Sequence, residues 1–496
     1  MLVYCVFLCH IISAAVSEIR FASYYGSHMV LQRAPNRAVV WGTASKIGDT
    51  VTVAVSGQGY QTTTVVKNPE GSGGFWKATL PAISEKGPFS VTVTSSEGQQ
   101  SLDDVLFGDV WICSGQSNMD FSLGRVFNAK TEIQRALTFK DIRIFQALRV
   151  ESKTPYEDLH GIAIKWTAPT NETVPDFSAV CILFAEYVYP HLNFPIGLVQ
   201  ASWGGTPIET WSSPDAIRKC PAHNFDGPAE PSVLWNAMMN PFKRMTIYGT
   251  LWYQGEENAV SEASAELYAC QFPAMINDWR SKFSEATGGE TFKYFPFGFV
   301  QLAPNAKKPT LVGQFPALRW SQTVRHGYVP NNNMTNTFMA VAMDLPDFDS
   351  PYGAIHSRDK QDVAYRLALS GRAVAYSQRV QFQGPFPSSF QEQKDKNYLK
   401  ITYNYSPIEI KNRQGFEVCC ATRRTAVCGE KDTWHAAPIE HYDDMSVTIS
   451  SGACANDYTV GLRYQWRTSP CEFKMCSVYG LDTTLPAPPF IANKAA

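Results

Sequence analysis

Beyond Val16 the 496-residue sequence has no apolar run long enough to cross a bilayer. It also lacks an excess of either charge. With 43 Lys and Arg against 45 Asp and Glu, the net charge of -2 sets up no field that would draw the chain to nucleic acid or an anionic membrane. No basic cluster, acidic tail, low-complexity tract or fixed-period repeat is present, which argues against tails and solenoids. His435 and His441 are close, but no C-x-x-C pair accompanies them, so a structural zinc site is disfavoured. No metal or organic cofactor is expected. What is present is a folding composition, 44% hydrophobic and 13% aromatic, in a chain long enough for two or three domains.

Leu2 to Val16 is almost wholly apolar and ends in small residues, as a secretory signal does, so residues 1–17 are expected to be a signal peptide. Cys5 and Cys9 lie inside it. The other ten of the 12 cysteines are an even set, densest from Cys419 to Cys476, and short spacings such as Cys471 to Cys476 suit disulfides. Cys113 lies on an apolar run and reads as a small hydrophobe, not as a second nucleophile. Sequons at Asn171, Asn333 and Asn404 fit the same compartment. The expected location is the secretory pathway, lysosomal or extracellular.

Residues 18–104 read as a small β domain. Val51 to Val55 alternates with period two, further strand candidates lie at 60–66, 75–80 and 89–94, and glycine-rich turns separate them. From 105 to 382 the pattern changes to apolar strand candidates, at 105–113, 142–145, 196–199, 247–253, 297–300 and 337–343, alternating with helical stretches such as 179–192 and 361–375. That is the pattern of a parallel α/β sheet flanked by helices. Residues 383–496 return to short strands with cysteines, a β-rich C-terminal region.

Four loop motifs end or follow these strands. Ser117 stands in SGQSNM (114–119), where Gly115 permits a tight turn and the hydroxyl can be exposed at a strand's carboxyl end. SWGGTPIETW (202–211) offers the N–H of Gly204 or Gly205 to a developing oxyanion. WYQGEEN (252–258) offers the side-chain amide of Gln254 as a third donor. IHSRDK (355–360) carries His356, whose neutral imidazole could take a serine proton and return it to a leaving alcohol. Each motif alone has an ordinary structural reading as a turn or a cap, but the four in this order do not.

That order resembles the SGNH hydrolase superfamily. The longer strings DVWICSGQSNM (109–119), SWGGTPIETW, WYQGEEN and IHSRDKQDVAYRL (355–367) resemble the sialate O-acetylesterase family within it. So do MVLQR (29–33) and LPAPPFIA (485–492), so the likeness runs through nearly the whole mature chain. The resemblance implies an SGNH-hydrolase-like parallel sheet and hydrolysis of O-acetyl esters on sialic acid without a metal. Ser117 would be nucleophile and His356 base, and the oxyanion would be held by Ser117 and Gly204 or Gly205 N–H groups with Gln254. The sequence departs from the pattern at Gly353, where many relatives place an aspartate three residues before the histidine. Asp344, Asp347 and Asp349 are nearby. Asp349 is the candidate third member, and a backbone carbonyl on the ring is the alternative.

Arg319 is a candidate for pairing with a sugar carboxylate, although a structural ion pair is the commoner fate of such a residue. Trp203, Trp252 and Trp235 could wall the acetyl or sugar site or lie in the core. The partner expected is a glycan or small-molecule substrate bearing O-acetylated sialic acid. Other readings are an acetylesterase for carbohydrates such as acetylated xylan, and a carbohydrate-binding protein with a retired site. No oligomeric state is readable from the sequence.

Overall fold

The computed structural model describes residues 18–220, 230–308, 310–393, 395, 397–429 and 432–493. The expected signal peptide lies outside the described residues.

The N-terminal region is two small sheets. In one, Val39–Ala44 pairs antiparallel with Gly74–Thr79; in the other, Thr50–Val55 lies between Gly59–Thr64 and Phe89–Ser95. The alternation in Thr50–Val55 does what its period predicts: Val51, Val53 and Val55 point inward and are buried.

The next strand, β1 (Gly98–Gly115), is 18 residues long and belongs to two regions at once. Its first half pairs antiparallel with Phe89–Ser95. Its second half, buried at every position from Val105 onward, is the middle of the large sheet. The change near residue 104 is therefore a bend within one strand, at Asp104, whose φ is 53°.

In the large sheet β1 is joined by β2 (Ile142–Ala147), β3 (Ile162–Thr167), β4 (Ile196–Ser202), β5 (Gly249–Tyr253), β6 (Phe297–Gln301) and β7 (Thr337–Val341), in the spatial order β3-β2-β4-β1-β5-β6-β7. The pairings from β2 to β7 are parallel. The edge strand β3 is antiparallel to β2, so the sheet is mixed and not wholly parallel as expected. Parallel central strands are covered on both faces and read as continuous apolar runs, and β4 and β5 are buried at every residue. After β1 the chain fills positions on one side of it, then crosses to build β5, β6 and β7 on the other. The carboxyl ends of β4, β1 and β5 therefore lie side by side where the strand order switches, the place where open α/β sheets bind ligands.

Helices cover the faces. α1 (Ser117–Asp120) is a single turn; α2 (Ala179–Leu192) starts where Ser178 Oγ accepts from the Cys181 N–H at 3.3 Å. α3 (Glu262–Ala286) and α4 (Phe315–Ser321) pack together, and α5 (Lys360–Val374) lies on α2 and β7. Among the described residues no helix is long and apolar enough to cross a membrane.

The C-terminal region has its own core, built from two four-stranded antiparallel sheets. Three disulfides staple it: Cys419–Cys428, Cys420–Cys454 and Cys471–Cys476. Two more tie the α/β region, Cys220–Cys270 and Cys113–Cys181. Cys113 is thus not a free apolar side chain. It anchors the strand that leads into the Ser117 turn to α2.

Candidate active site

Gly115 ends β1 with φ 135°, and a Cβ there would stand 2.2 Å from the Tyr253 carbonyl oxygen, so only glycine fits. The turn it permits is laced to its neighbours. Trp203 N–H donates to the Gly115 carbonyl at 3.0 Å and Gln116 N–H to that of Tyr253 at 2.9 Å. The Gln116 side-chain oxygen accepts from the N–H groups of Gly255 and Glu257, both at 3.2 Å. The loops after β4, β1 and β5 are therefore one hydrogen-bonded platform, and Ser117 is half-exposed on top of it.

The loop between β7 and α5 reaches over this platform and brings His356 Nε2 to 2.9 Å from Ser117 Oγ. Nδ1 lies 2.7 Å from the Tyr352 carbonyl oxygen. A carbonyl can only accept, so Nδ1 carries the hydrogen and Nε2 is left with a lone pair facing the serine hydroxyl. The loop holds its shape through His356 N–H on Gly353 O at 2.9 Å and Ser350 Oγ on His356 O at 2.7 Å. The Phe121 ring stacks on the imidazole at 6.3 Å. Burial pushes the imidazole below its ordinary pKa, the Tyr352 contact opposes this, and the nearby charges of Lys360 and Arg125 push the same way as burial.

None of the three acids considered from sequence meets the imidazole. Asp349 is exposed, and the Nδ1 it would need is already engaged by Tyr352. Asp347 is bidentate to Arg358, at 2.6 and 2.9 Å. Asp344 holds Arg366 and accepts from Tyr479 Oη at 2.9 Å. Asp349 is corrected accordingly: with Gly353 in the usual acid position, the backbone itself orients the ring.

Gly204 and Gly205 are also separated. A Cβ on Gly204 would stand 3.2 Å from Ser117 Cβ, whereas Gly205, with φ 72°, is exposed with nothing within 4 Å of such an atom. Gly204 is the glycine packed on Ser117. Gln254 is not where the third donor was expected. It is fully buried, its amide hydrogens go to Thr206 O at 3.2 Å and Asn258 Oδ1 at 2.7 Å, and its oxygen accepts from Tyr268 Oη. In this arrangement it braces the glycine loop from below.

Arg319 is corrected too. It is fully buried and donates to four backbone carbonyls, those of Leu302, Ala303, Arg467 and Thr468, joining the C-terminal region to the α/β region. Trp252 is 0% exposed and bonds Tyr268 Oη, and Trp235 is buried, so neither is a wall; Trp203 is half-buried beside Gly204. Asn171 and Asn333 are exposed, as glycan acceptors must be, while Asn404 is half-buried.

Three residues without a role in the sequence reading lie directly beneath the pair. Asn118 donates to Glu256 Oε1 at 2.6 Å and to the Ile355 carbonyl at 2.9 Å. Lys360 donates to Asn118 Oδ1 at 2.7 Å and the Ser357 carbonyl at 2.6 Å. Both ionisable members are out of water: burial pushes the Lys360 ammonium down to about 7 and the Glu256 carboxyl up. Asn118 thus joins the Ser117 turn to the loop that carries His356. The only signal for this in sequence was a lysine opening a helix that is buried there.

Family models match in two places, "Carbohydrate esterase, sialic acid-specific acetylesterase" over residues 107–365 and "Sialate O-acetylesterase C-terminal domain" over 388–494. The human protein named sialate O-acetylesterase is 42% identical over 95% of this chain and 92% of its own length. The mouse protein of that name is 40% identical over 96% and 94%. A carbohydrate acetylesterase from Xanthomonas citri, solved by crystallography, superposes with TM-score 0.79 at 28% identity, covering 96% of this chain and 100% of that one.

Proposed function

The chain belongs to the sialate O-acetylesterase family of carbohydrate esterases, and from that premise we propose that it releases acetate from O-acetylated sialic acids through an acetyl-enzyme on Ser117. The observation that carries the mechanism is the 2.9 Å contact between His356 Nε2 and Ser117 Oγ, with Nδ1 occupied by a carbonyl.

Ser117 Oγ attacks the acetyl carbonyl carbon as Nε2 takes its proton. The carbonyl oxygen gains negative charge, and we assign its stabilisation to the N–H groups of Ser117 and of Gly204, the glycine packed against Ser117 Cβ. The tetrahedral species collapses with departure of the sugar oxygen, which receives the proton from His356. Water then enters, gives a proton to His356 and its oxygen to the acetyl carbon, and the departing Ser117 Oγ takes the proton back as acetate leaves. The Tyr352 carbonyl keeps the ring aimed through both halves and meets the imidazolium with a partial negative charge instead of a full one. The placement of the four loops at the carboxyl ends of a mainly parallel sheet supports an SGNH-hydrolase-like arrangement. Five disulfides support residence in an oxidising compartment, secreted or lysosomal. The test is acetate release from O-acetylated sialic acid by wild type and Ser117→Ala. Loss of nearly all turnover in a folded variant is expected, and full activity would end the reading.

A further inference from the structure

Arg319 was the arginine that the sequence offered for a sugar carboxylate, and it is buried away from the site. Another arginine stands where that role can be filled. Arg125 ends the short turn Leu123–Arg125 that follows α1, and its side chain is exposed. Its Cζ lies 5.3 Å from the centroid of the Tyr352 ring. Tyr352 meets Phe121 edge-on at 5.3 Å, and Phe121 stacks on His356. The guanidinium therefore caps an aromatic wall whose other end is the catalytic imidazole.

The other cations around the site are engaged. Arg358 holds Asp347, Arg149 holds Asp120, and Lys360 is buried on Asn118. Among the described residues the Arg125 guanidinium has no ion-pair or hydrogen-bond partner, although its charge is felt at His356. An exposed guanidinium stacked on a tyrosine keeps its planar donor edge free, and that edge matches a carboxylate bidentately. Stacking also limits the rotamer freedom lost on binding, so less of the pairing energy is spent on ordering the side chain.

We propose that Arg125, held against Tyr352, receives the carboxylate of the acidic sugar and makes the enzyme select acetyl esters of carboxylated sugars over neutral ones. This rests on the sialate reading above and adds to it the residue that would enforce it. A sialic acid carries its carboxylate and its acetylated hydroxyls on one small molecule, so a cation held at the far end of the aromatic wall from His356 orients the ester as well as binding it.

The experiment compares acetate release from O-acetylated sialic acid and from the same compound with its carboxyl group as the methyl ester. Each is measured with wild type, Arg125→Ala and Arg125→Lys. The quantity read is the ratio of kcat/KM for the acid to that for the methyl ester, which cancels any general loss of active enzyme. Wild type is expected to favour the acid on the order of 10–100-fold, as one charge-assisted bidentate pair allows. The ratio should fall close to one in Arg125→Ala, mainly through KM, and recover partly in Arg125→Lys. A ratio in Arg125→Ala equal to that of wild type would overturn the proposal. So would a wild-type enzyme that is indifferent to methylation. Wild type that turns over an aryl acetate but not the sialic acid ester would overturn the substrate reading itself, and this proposal with it.

Discussion

His356 Nδ1 is 2.7 Å from the carbonyl oxygen of Tyr352, four residues earlier in the same loop. The third partner of the Ser117–His356 pair is thus a main-chain atom. In a serine triad, changing the acid to its amide costs on the order of 10⁴ in kcat because the tautomer is lost. Here Asp349→Asn should leave kcat within about twofold of wild type, since the tautomer is set by a group that side-chain substitution does not touch. His356→Ala should cost on the order of 10²–10⁴ in kcat. Steady-state kinetics on one acetyl ester checks both; a large loss in Asp349→Asn would return that acid to the mechanism.

The proposed mechanism requires the neutral imidazole, so protonation of His356 is expected to set the acid limb of the kcat/KM profile. Burial, Lys360 and Arg125 all disfavour the imidazolium, which places that limb below the ordinary histidine value of about 6.5. Removing a positive charge favours protonation, so Lys360→Met should move the limb to higher pH while also lowering kcat. A profile that keeps its limb while losing height would mean that Lys360 acts through packing alone.

Gly204→Ala tests the contact between the glycine loop and the nucleophile. Its methyl would press on Ser117 Cβ at 3.2 Å, tighter than side chains ordinarily tolerate. Displacing Ser117 by a few tenths of an ångström misaligns it with both His356 and the oxyanion donors. A loss of about 10–100-fold in kcat with KM little changed is expected. The same substitution at Gly205 removes no space, and its cost should appear as strain at φ 72°, read as a lower Tm.

Arg319→Met would leave four backbone carbonyls without their donors at the junction with the C-terminal region. Buried unpaired acceptors cost about 1–3 kcal/mol each before relaxation, so a loss of at least about 3 kcal/mol is expected. Denaturant unfolding should show it, with KM unchanged in whatever protein folds. A raised KM at full stability would instead mean that Arg319 reaches substrate.

The Cys113–Cys181 disulfide closes a loop of sequence separation 68. Chain-entropy reasoning gives it about 4 kcal/mol against unfolding. The double substitution Cys113→Ala with Cys181→Ala should lower Tm by that measure. It should also loosen the strand that delivers Ser117, giving a lower kcat at temperatures well below unfolding.

The strands of the α/β region were legible because each buried parallel strand writes itself as an apolar run. The expected 196–199, 297–300 and 337–343 became Ile196–Ser202, Phe297–Gln301 and Thr337–Val341. α2 coincides with the expected 179–192; Ser178 caps its start and Asn193, in the left-handed conformation, ends it. The 25-residue helix α3 is not evident in the sequence. Its inward residues Ala265, Tyr268, Phe272, Met275, Trp279 and Phe283 follow helical spacing, but Pro273 in its middle looks like a breaker. The antiparallel edge β3 is faint in the sequence because an edge strand, exposed at alternate positions, leaves a weaker apolar signature than a central one.

By itself the sequence determined the chemistry on offer: a serine after a glycine turn, a second glycine loop, a histidine loop, and cysteines in an even set. Those are properties of residue type and local spacing, which the linear order preserves. Which side chains face one another is decided by burial and by competition among partners far apart in the chain. Only the fold could give His356 a carbonyl in place of Asp349, engage Arg319 and Gln254 with neighbouring groups, and, among the described residues, leave the Arg125 guanidinium against Tyr352 without an ion-pair partner. A polar group inside a protein goes to whichever partner packing brings within reach, and that choice is made in three dimensions.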